Sequence, residues 1–265
     1  MSARLTRLMA AIALAATSAT AAEYPERPVR LIVPFAPGGG TDLTSRVISQ
    51  RMGEALGVQV LVENRAGGAA NIGTEFAARA APDGYTFLFA SLANGVNAVL
   101  FTKLRFDIQK DFSPVSLFST VPLMLAVHPA FPAQSVQDLI ALAKAPGKRL
   151  NYGSGGIGTA NHVAGELFKQ LANLEIDHIP YKGGGPALAD LAGGHLNMVF
   201  TTMTSTQEMV KAGRLRALAT TGATRSPGAP DLPTMIEAGV PGYEVSAWYG
   251  VLAPTGTPQP IIARW

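Results

Sequence analysis

Three glycine-rich turns are the parts of this chain whose residue types suit the binding of a small anion. They read Pro37-Gly-Gly-Gly-Thr-Asp42, Gly153-Ser-Gly-Gly-Ile-Gly-Thr159 and Lys182-Gly-Gly-Gly-Pro186. Each turn follows a predicted strand and begins a predicted helix, so its unpaired backbone N–H groups lie at the positive end of a helix dipole. Glycine turns are also ordinary connections in α/β proteins, but three at equivalent places favour a ligand cleft.

Four side chains in these turns or just after them have both a functional and a structural interpretation. Asp42 is either a ligand contact or a first-turn acid favoured by the helix dipole. Lys182 either neutralises an anion or is a solvated loop lysine. Ser154 and His162 are open to three interpretations: a nucleophile with its base, two hydrogen-bond donors near a bound anion, or, for His162, a place on a buried helix face.

Catalytic and cofactor motifs are lacking. Gly153 to Gly158 satisfies G-x-G-x-x-G, but a dinucleotide site needs an acid at the end of the next strand, and Asp177 lies at its start. The sequence contains no P-loop, no G-x-S-x-G, no H-E-x-x-H and no cysteine. These absences argue against an α/β-hydrolase, a zinc protease and a thiolate metal site. We therefore expect that the protein is not an enzyme and that it binds neither a cofactor nor a metal.

Length, composition and charge narrow the classes further. The 265 residues suffice for two modest domains, and 48% hydrophobic with 15% charged residues excludes a disordered chain. Of 21 basic residues, Arg4 and Arg7 lie in the first 22 positions, which contain no acid. The remaining 19 basic and 18 acidic residues nearly cancel. We therefore expect neither nucleic acid nor an anionic membrane as a partner.

The first 22 residues have the pattern of a cleavable secretory signal. Arg4 and Arg7 precede an apolar stretch over 8–16, and Ala19-Thr20-Ala21 fits the small-residue cleavage rule. The apolar stretch is too short to be a membrane anchor. We expect cleavage after Ala21 or Ala22 and export to a bacterial periplasm, since the chain manages without disulfides.

Strand and helix patterns alternate in two series. The first series has strands at 29–35, 59–62 and 86–90, helices from Thr41 or Asp42 to Leu56 and over 74–80, and extended runs at 115–119 and 123–127. The second has helices at 136–143, 159–171, 186–191 and 205–212 between strands at 150–153, 176–181, 196–201 and 215–220, and a last helix begins near Pro258. Such alternation predicts two α/β lobes with largely parallel sheets.

Segments along the whole chain resemble one family. The run YPERPVRLIVPFAPGGGTD, from Tyr24 to Asp42, resembles the opening of the tripartite tricarboxylate transporter receptors, the Bug family of periplasmic solute-binding proteins. The same resemblance is carried by VENRAG at 62–67, NIG at 71–73, APDGY at 81–85, LNYGS at 150–154, GELF at 165–168, VKAGRLRA at 210–217 and WYGVLAP at 248–254.

This resemblance implies an α/β type II periplasmic-binding-protein fold of the Venus flytrap kind, with a ligand cleft between two lobes. The expected division is a signal peptide over 1–22, lobe 1 over 23–123, lobe 2 over 124–222 and a return to lobe 1 over 223–265. The implied function is capture of a small carboxylic acid in the periplasm, by a monomer, for delivery to the membrane permease subunits of a secondary transporter. A ligand-sensing partner of a membrane signalling protein, and an exported hydrolase using Ser154 and His162, are the alternatives.

The resemblance also places the ligand on particular residues. By position, the family's ligand loops and cleft-lining residues fall on Phe35, Gly38, Gly39, Gly40, Thr41, Asp42, Ser91, Asn94, Ser154, Gly158, Thr159, His162, Tyr181, Lys182, Gly183 and Thr201. Two departures stand out. Family members usually continue well beyond Ala263, so the chain is expected to be C-terminally truncated. Thr201-Thr202 stands where an Asp or Asn is more usual.

Overall fold

The computed structural model describes residues 24–265, so the predicted signal peptide lies outside the described residues. The described part has nine strands and eight helices, with no helix long and apolar enough to cross a bilayer. In chain order they are β1 (Val29–Val33), α1 (Gly40–Leu56), β2 (Val60–Asn64), α2 (Asn71–Ala78), β3 (Thr86–Ser91), α3 (Leu92–Leu100), β4 (Phe112–Val127), α4 (Val136–Lys144), β5 (Leu150–Ser154), α5 (Ala160–Ala172), β6 (Ile176–Pro180), α6 (Gly184–Ala192), β7 (Met198–Thr202), α7 (Met203–Lys211), β8 (Arg216–Thr220), β9 (Ser246–Pro254) and α8 (Gln259–Arg264).

One long strand joins the two lobes. The strand order is β2-β1-β3-β9-β4-β7-β5-β6, with β8 also beside β4. Residues 112–122 of β4 pair with β9, whereas residues 123–127 pair with β7 and β8. The sheet therefore changes partners between Pro122 and Leu123, and each half of β4 belongs to a different lobe.

The two lobes of α/β structure are confirmed, but the sheets are mixed rather than largely parallel. Strands β1–β3 and β5–β7 make parallel pairs within each lobe, whereas β4 and β9 run antiparallel to their neighbours. The two predicted runs at 115–119 and 123–127 are parts of the single strand β4. Helix α3 and strand β9 were not predicted, and both contribute to the cleft.

The predicted cap of α1 is wrong by two to three positions. The helix begins at Gly40, and the residue before it, Gly39, has an extended backbone without a side-chain cap. Asp42 is instead the third residue of the helix, and its carboxylate accepts a hydrogen bond from the backbone N–H of Gly38 at 3.0 Å. The acid therefore stabilises the turn that precedes the helix rather than beginning the helix itself.

The central strands are buried on both faces because helices cover both sides of the sheets. All residues of β3 (TFLFAS) and of β7 (MVFTT) are buried. Such continuous apolar runs, instead of alternation, are typical of covered parallel strands. The ends of β3 and β7 lead directly into helices α3 and α7.

A buried threonine ties together the two segments that cross between the lobes. Thr221, which follows β8, lies beside Leu123 of β4 and Val245, which precedes β9. Its Oγ accepts a hydrogen bond from the Leu123 N–H at 2.7 Å and donates one to the Val245 carbonyl at 2.6 Å. Backbone hydrogen bonds also join Thr221 to both residues. Thr221 therefore joins the two connections through both its side chain and its backbone.

Replacement of Thr221 by Val should lower the free energy of unfolding by about 1–3 kcal/mol, because it leaves two buried backbone groups without their partner. Thr221→Ser keeps the hydroxyl and should be closer to the wild type. Urea denaturation of the three proteins measures the difference. Equal losses for Val and Ser would show that the methyl group, not the hydrogen bonds, matters at this position.

Candidate functional site

Five helices begin at one cavity between the lobes. The lining includes the capping or first residues of α1 and α3 from one lobe and of α5, α6 and α7 from the other. Those residues are Gly39, Gly40, Ser91, Leu92, Thr159, Ala160, Gly184 and Thr202. Each helix carries about half a positive charge at its N-terminus, so five of them create a strongly positive potential from backbone alone. This arrangement suits an anion.

The cavity is small and contains no basic side chain. Its volume is about 30 Å³, enough for about two water molecules. Within the described residues 24–265, no Lys, Arg or His side chain lines it, and Asp42 is its charged lining residue. An anion bound here would therefore depend on backbone N–H groups and hydroxyls.

The charge of Asp42 is already compensated by neighbouring groups. Arg46 lies 3.0 Å from one carboxylate oxygen and 3.1 Å from the other. Asn64 donates to the same carboxylate at 2.9 Å, and the N–H of Gly38 donates to it at 3.0 Å. Burial raises the pKa of Asp42, but the hydrogen bonds from Arg46, Gly38 and Asn64 outweigh it and keep the pKa below its ordinary value. Asp42 is thus an ionised, paired group that holds the first glycine turn.

Hydroxyl groups form the opposite part of the lining. Tyr249 of β9 is hydrogen-bonded to the side chain of Thr41, and burial raises its pKa to about 12, so its hydroxyl stays neutral. Thr201 and Thr202 both lie within hydrogen-bond distance of the Ser205 hydroxyl, at 2.9 and 3.1 Å. A neutral hydroxyl can donate to an anion without adding charge.

The second glycine turn is held from behind by two histidines. The Ser154 hydroxyl accepts a hydrogen bond from the Gly156 N–H at 3.0 Å and lies 2.7 Å from Nε2 of His178. The Gly158 N–H donates to Nδ1 of His162 at 3.3 Å. His162 is therefore neutral, with its proton on Nε2. Both ends of the turn depend on these side chains.

The two imidazoles belong to a stack of rings. His178 lies 4.8 Å from Tyr152 and 4.5 Å from His162, measured between ring centres. Burial, with a smaller contribution from the neighbouring His162, lowers the pKa of His178 to about 4. Burial also lowers the pKa of His162. At the far end, the Tyr152 hydroxyl donates to Glu166, which is paired with Lys169.

This geometry argues against Ser154 and His162 as a catalytic pair. Ser154 is 1% exposed, its imidazole partner is His178 rather than His162, and neither Ser154 nor His162 lines the cavity. Within residues 24–265, no group of three or more Asp, Glu or His side chains is arranged to hold a metal ion.

Half of the residues predicted for the site line the cavity. They are Phe35, Gly39, Gly40, Thr41, Asp42, Ser91, Thr159 and Thr201. Four of the other eight lie directly behind the lining. The side chain of Asn94 accepts from the Ser91 N–H at 2.8 Å and so holds the start of α3, while Ser154, Gly158 and His162 support the second turn.

The remaining predicted residues lie at the contact between the lobes or outside the cavity. Gly38 and Gly183 are part of the backbone contact between the first and third turns. Lys182 is exposed, and its carbonyl oxygen rather than its ammonium group takes part in that contact. Tyr181 is half-buried and its hydroxyl donates to Asp190.

Several lining residues escaped the sequence analysis. Among them are Leu92, Leu123, Asn161, Ala247 and Tyr249. The Ser91-Leu-Ala-Asn94 segment has the spacing of a helix start, with an amide three residues after a serine, and that signal locates Leu92. Tyr249 belongs to a strand that pairs across the sequence with β3, so only long-range pairing brings it to the cavity.

Comparison with known proteins gives one consistent family. The family model for the tripartite tricarboxylate transporter family receptor matches residues 44–265. Protein BugT of Bordetella pertussis (strain Tohama I) is 40% identical over 240 residues, which are 89% of this chain and 73% of BugT.

Solved structures agree with this result. An R. palustris protein with adipate superposes with a TM-score of 0.88 at 38% identity, covering 91% of this chain and 81% of the other. MatC from Rhodopseudomonas palustris with bound malate has a TM-score of 0.85 at 33% identity, over 91% of this chain and 82% of MatC.

The histidine stack predicts an acid-sensitive stability. Because the pKa of His178 is about 4 in the folded protein and about 6.5 when exposed, only the unfolded chain takes up this proton between those values. The free energy of unfolding should therefore fall as the pH falls from about 6.5 to about 4. In His178→Gln this contribution is absent, so the fall should be shallower. Denaturation with urea across this range is the measurement.

The exposed His195→Gln controls for the loss of an imidazole elsewhere. If the pH curves of the wild type and His178→Gln run parallel, the assigned role of His178 is wrong.

Proposed function

The chain belongs to the tripartite tricarboxylate transporter receptor family, and on that premise we propose that it captures a small carboxylic acid in the periplasm. The acid is then delivered to the permease of a tripartite tricarboxylate-type transporter. The observation that carries the proposal is the convergence of five helix N-termini on a cavity without a basic side chain. The protein acts as a binding protein and not as an enzyme.

The energy of binding comes chiefly from the helix ends. A charge at one helix N-terminus gains about 0.3–1 kcal/mol when exposed and up to about 2 kcal/mol in a partly buried place. Five such ends supply on the order of 5 kcal/mol, a large part of the about 8 kcal/mol of a micromolar complex. The hydroxyls of Thr41, Thr201 and Thr202 add directed hydrogen bonds.

Closure of the lobes assembles this site. Two helix ends come from one lobe and three from the other, so an acid gains the full set of donors only when the lobes meet. We take 23–123 and 223–265 as lobe 1 and 124–222 as lobe 2. The change of partners along β4 and the hydrogen bonds of Thr221 support this division. Binding then shifts an open–closed equilibrium, and the permease recognises the closed form.

The two related structures support a carboxylate as the ligand. One was solved with adipate and the other with malate, both of which carry two carboxyl groups. The hydroxyl-rich lining of the present cavity and its lack of cationic side chains suit the same class. Localisation in the periplasm is supported by the signal pattern in residues 1–22.

Carboxylates should raise the melting temperature of the protein, and Gly40→Ala should abolish that effect. A Cβ at Gly40 would overlap the Thr202 side chain and lie 2.9 Å from the Tyr249 hydroxyl, so it would occupy the space between the donors. A ligand at 100 times its dissociation constant stabilises by about 2.7 kcal/mol. Thermal melts with mono-, di- and tricarboxylates measure the effect, and calorimetric titration measures the affinity.

The matched control is Gly95→Ala, because Gly95 is an exposed glycine of α3 whose Cβ would meet nothing within 4 Å. It should bind like the wild type. A wild-type protein that melts cooperatively and responds to no carboxylate would refute the proposed ligand class.

A further inference from the structure

The two lobes touch directly beside the cavity, where the turn after β1 meets the start of α6. The backbone N–H of Ala36 donates to the carbonyl oxygen of Lys182 at 2.8 Å. Around this hydrogen bond, the facing residues Gly39, Gly183 and Gly185 have no side chain to keep the backbones apart. We call this region, residues 36–39 against 182–185, the glycine contact.

The glycine contact leaves too little space for a Cβ atom on either side. A Cβ at Gly185 would overlap the carbonyl oxygen of Pro37 and lie 3.1 Å from the carbonyl carbon of Gly38. A Cβ at Gly39 would lie 3.0 Å from the backbone nitrogen of Gly184. Backbone atoms cannot turn aside as the end of a flexible side chain can. The lobes reach this separation only because methyl groups are absent at these positions.

The width of the cavity depends on the same separation. Gly39 and Gly184 face each other across the glycine contact, and both also line the cavity. When the contact is formed, the cavity measures about 30 Å³. An acid that needs more space must hold the lobes further apart at this wall, and it then weakens the Ala36–Lys182 hydrogen bond and the packing around it.

We propose that the glycine contact makes the receptor selective for short acids over long ones. The inference rests on the proposed function and adds a limit on chain length to it. A short acid needs a smaller separation of the lobes than a long one, so it keeps more of the glycine contact while it gains the donors of both lobes. Each added methylene gains apolar contact with the lining but costs part of the contact between the lobes. Gly39 and Gly185 are therefore specificity-determining residues, although Gly185 lies outside the cavity lining.

Gly185→Ala is a suitable variant to test this proposal. Gly185 is the second residue of α6 and lacks a positive φ, so Ala suits both the backbone and the helix. The added methyl acts only across the lobe contact, where its neighbours are Pro37 and Gly38. A second variant is Gly39→Ala. The backbone of Gly39 is extended, which Ala accepts, and its Cβ would clash less severely than a Cβ at Gly185. Its effect should therefore have the same direction and be smaller.

The experiment titrates straight-chain dicarboxylates from malonate to adipate into the wild type, both glycine variants and the Gly95→Ala control. One methylene in a binding pocket typically changes affinity by about 10-fold or more. We expect Gly185→Ala to shift the ratio of the long-acid to the short-acid association constant by about 10-fold toward the long acid. Gly95→Ala should keep the wild-type ratio. Circular dichroism melts check that each variant is folded.

An unchanged ratio in a folded Gly185→Ala protein that still binds acids would overturn the proposal, even if all affinities fell together. A wild type that binds no member of the series would instead overturn the proposed function. Small-angle scattering of the liganded proteins gives an independent readout, because Gly185→Ala should leave the lobes further apart with the short acid. Identical scattering curves would also contradict the proposal.

Discussion

The electrostatic constraint on this protein is that the positive ends of five helices meet at one small cavity. Helix N-termini can converge in this way only if the strands before them end at the same edge of each sheet. Helices α1 and α3 follow β1 and β3 of one lobe, whereas α5, α6 and α7 follow β5, β6 and β7 of the other. The parallel pairing inside each lobe is therefore required by the site, and the antiparallel strands β4 and β9 can serve instead to join the lobes.

The same positive potential explains why the buried Asp42 is paired with other groups. An uncompensated carboxylate at this position would offset much of the helix potential, since both act over the same short distances. Asp42 is paired with Arg46 on the outer side and receives hydrogen bonds from Gly38 and Asn64, so its charge stabilises the first turn. The second turn is held by neutral groups, Ser154 with two histidines whose pKa values are lowered by burial. Each turn is thus fixed without a net charge that competes with an anion.

The sequence predicted the turns and their helices well because these depend on local signals. Gly40, Thr159 and Gly184 lie at helix starts within a few residues of the predicted places. The features that were missed depend on distant pairing. Strand β9 contains Tyr249 and lies between β3 and β4, which are far from it in sequence, and no local pattern reveals such a neighbour. The partner of Ser154 was missed for the same reason. Ser154 contacts His178 instead of His162, and this contact forms only when β5 pairs with β6.

The backbone origin of the positive potential has a consequence for evolution. Attraction for an anion survives most side-chain substitutions in the cleft, because the helix dipoles remain when Thr41, Asn161 or Thr201 changes. Gene duplicates can therefore drift at these positions without passing through a form that has lost all affinity. New ligand preferences can then arise from changes in cavity shape alone. A receptor that relied on one arginine would have a single position at which a mutation ends binding, and its descendants would have fewer routes to a different acid.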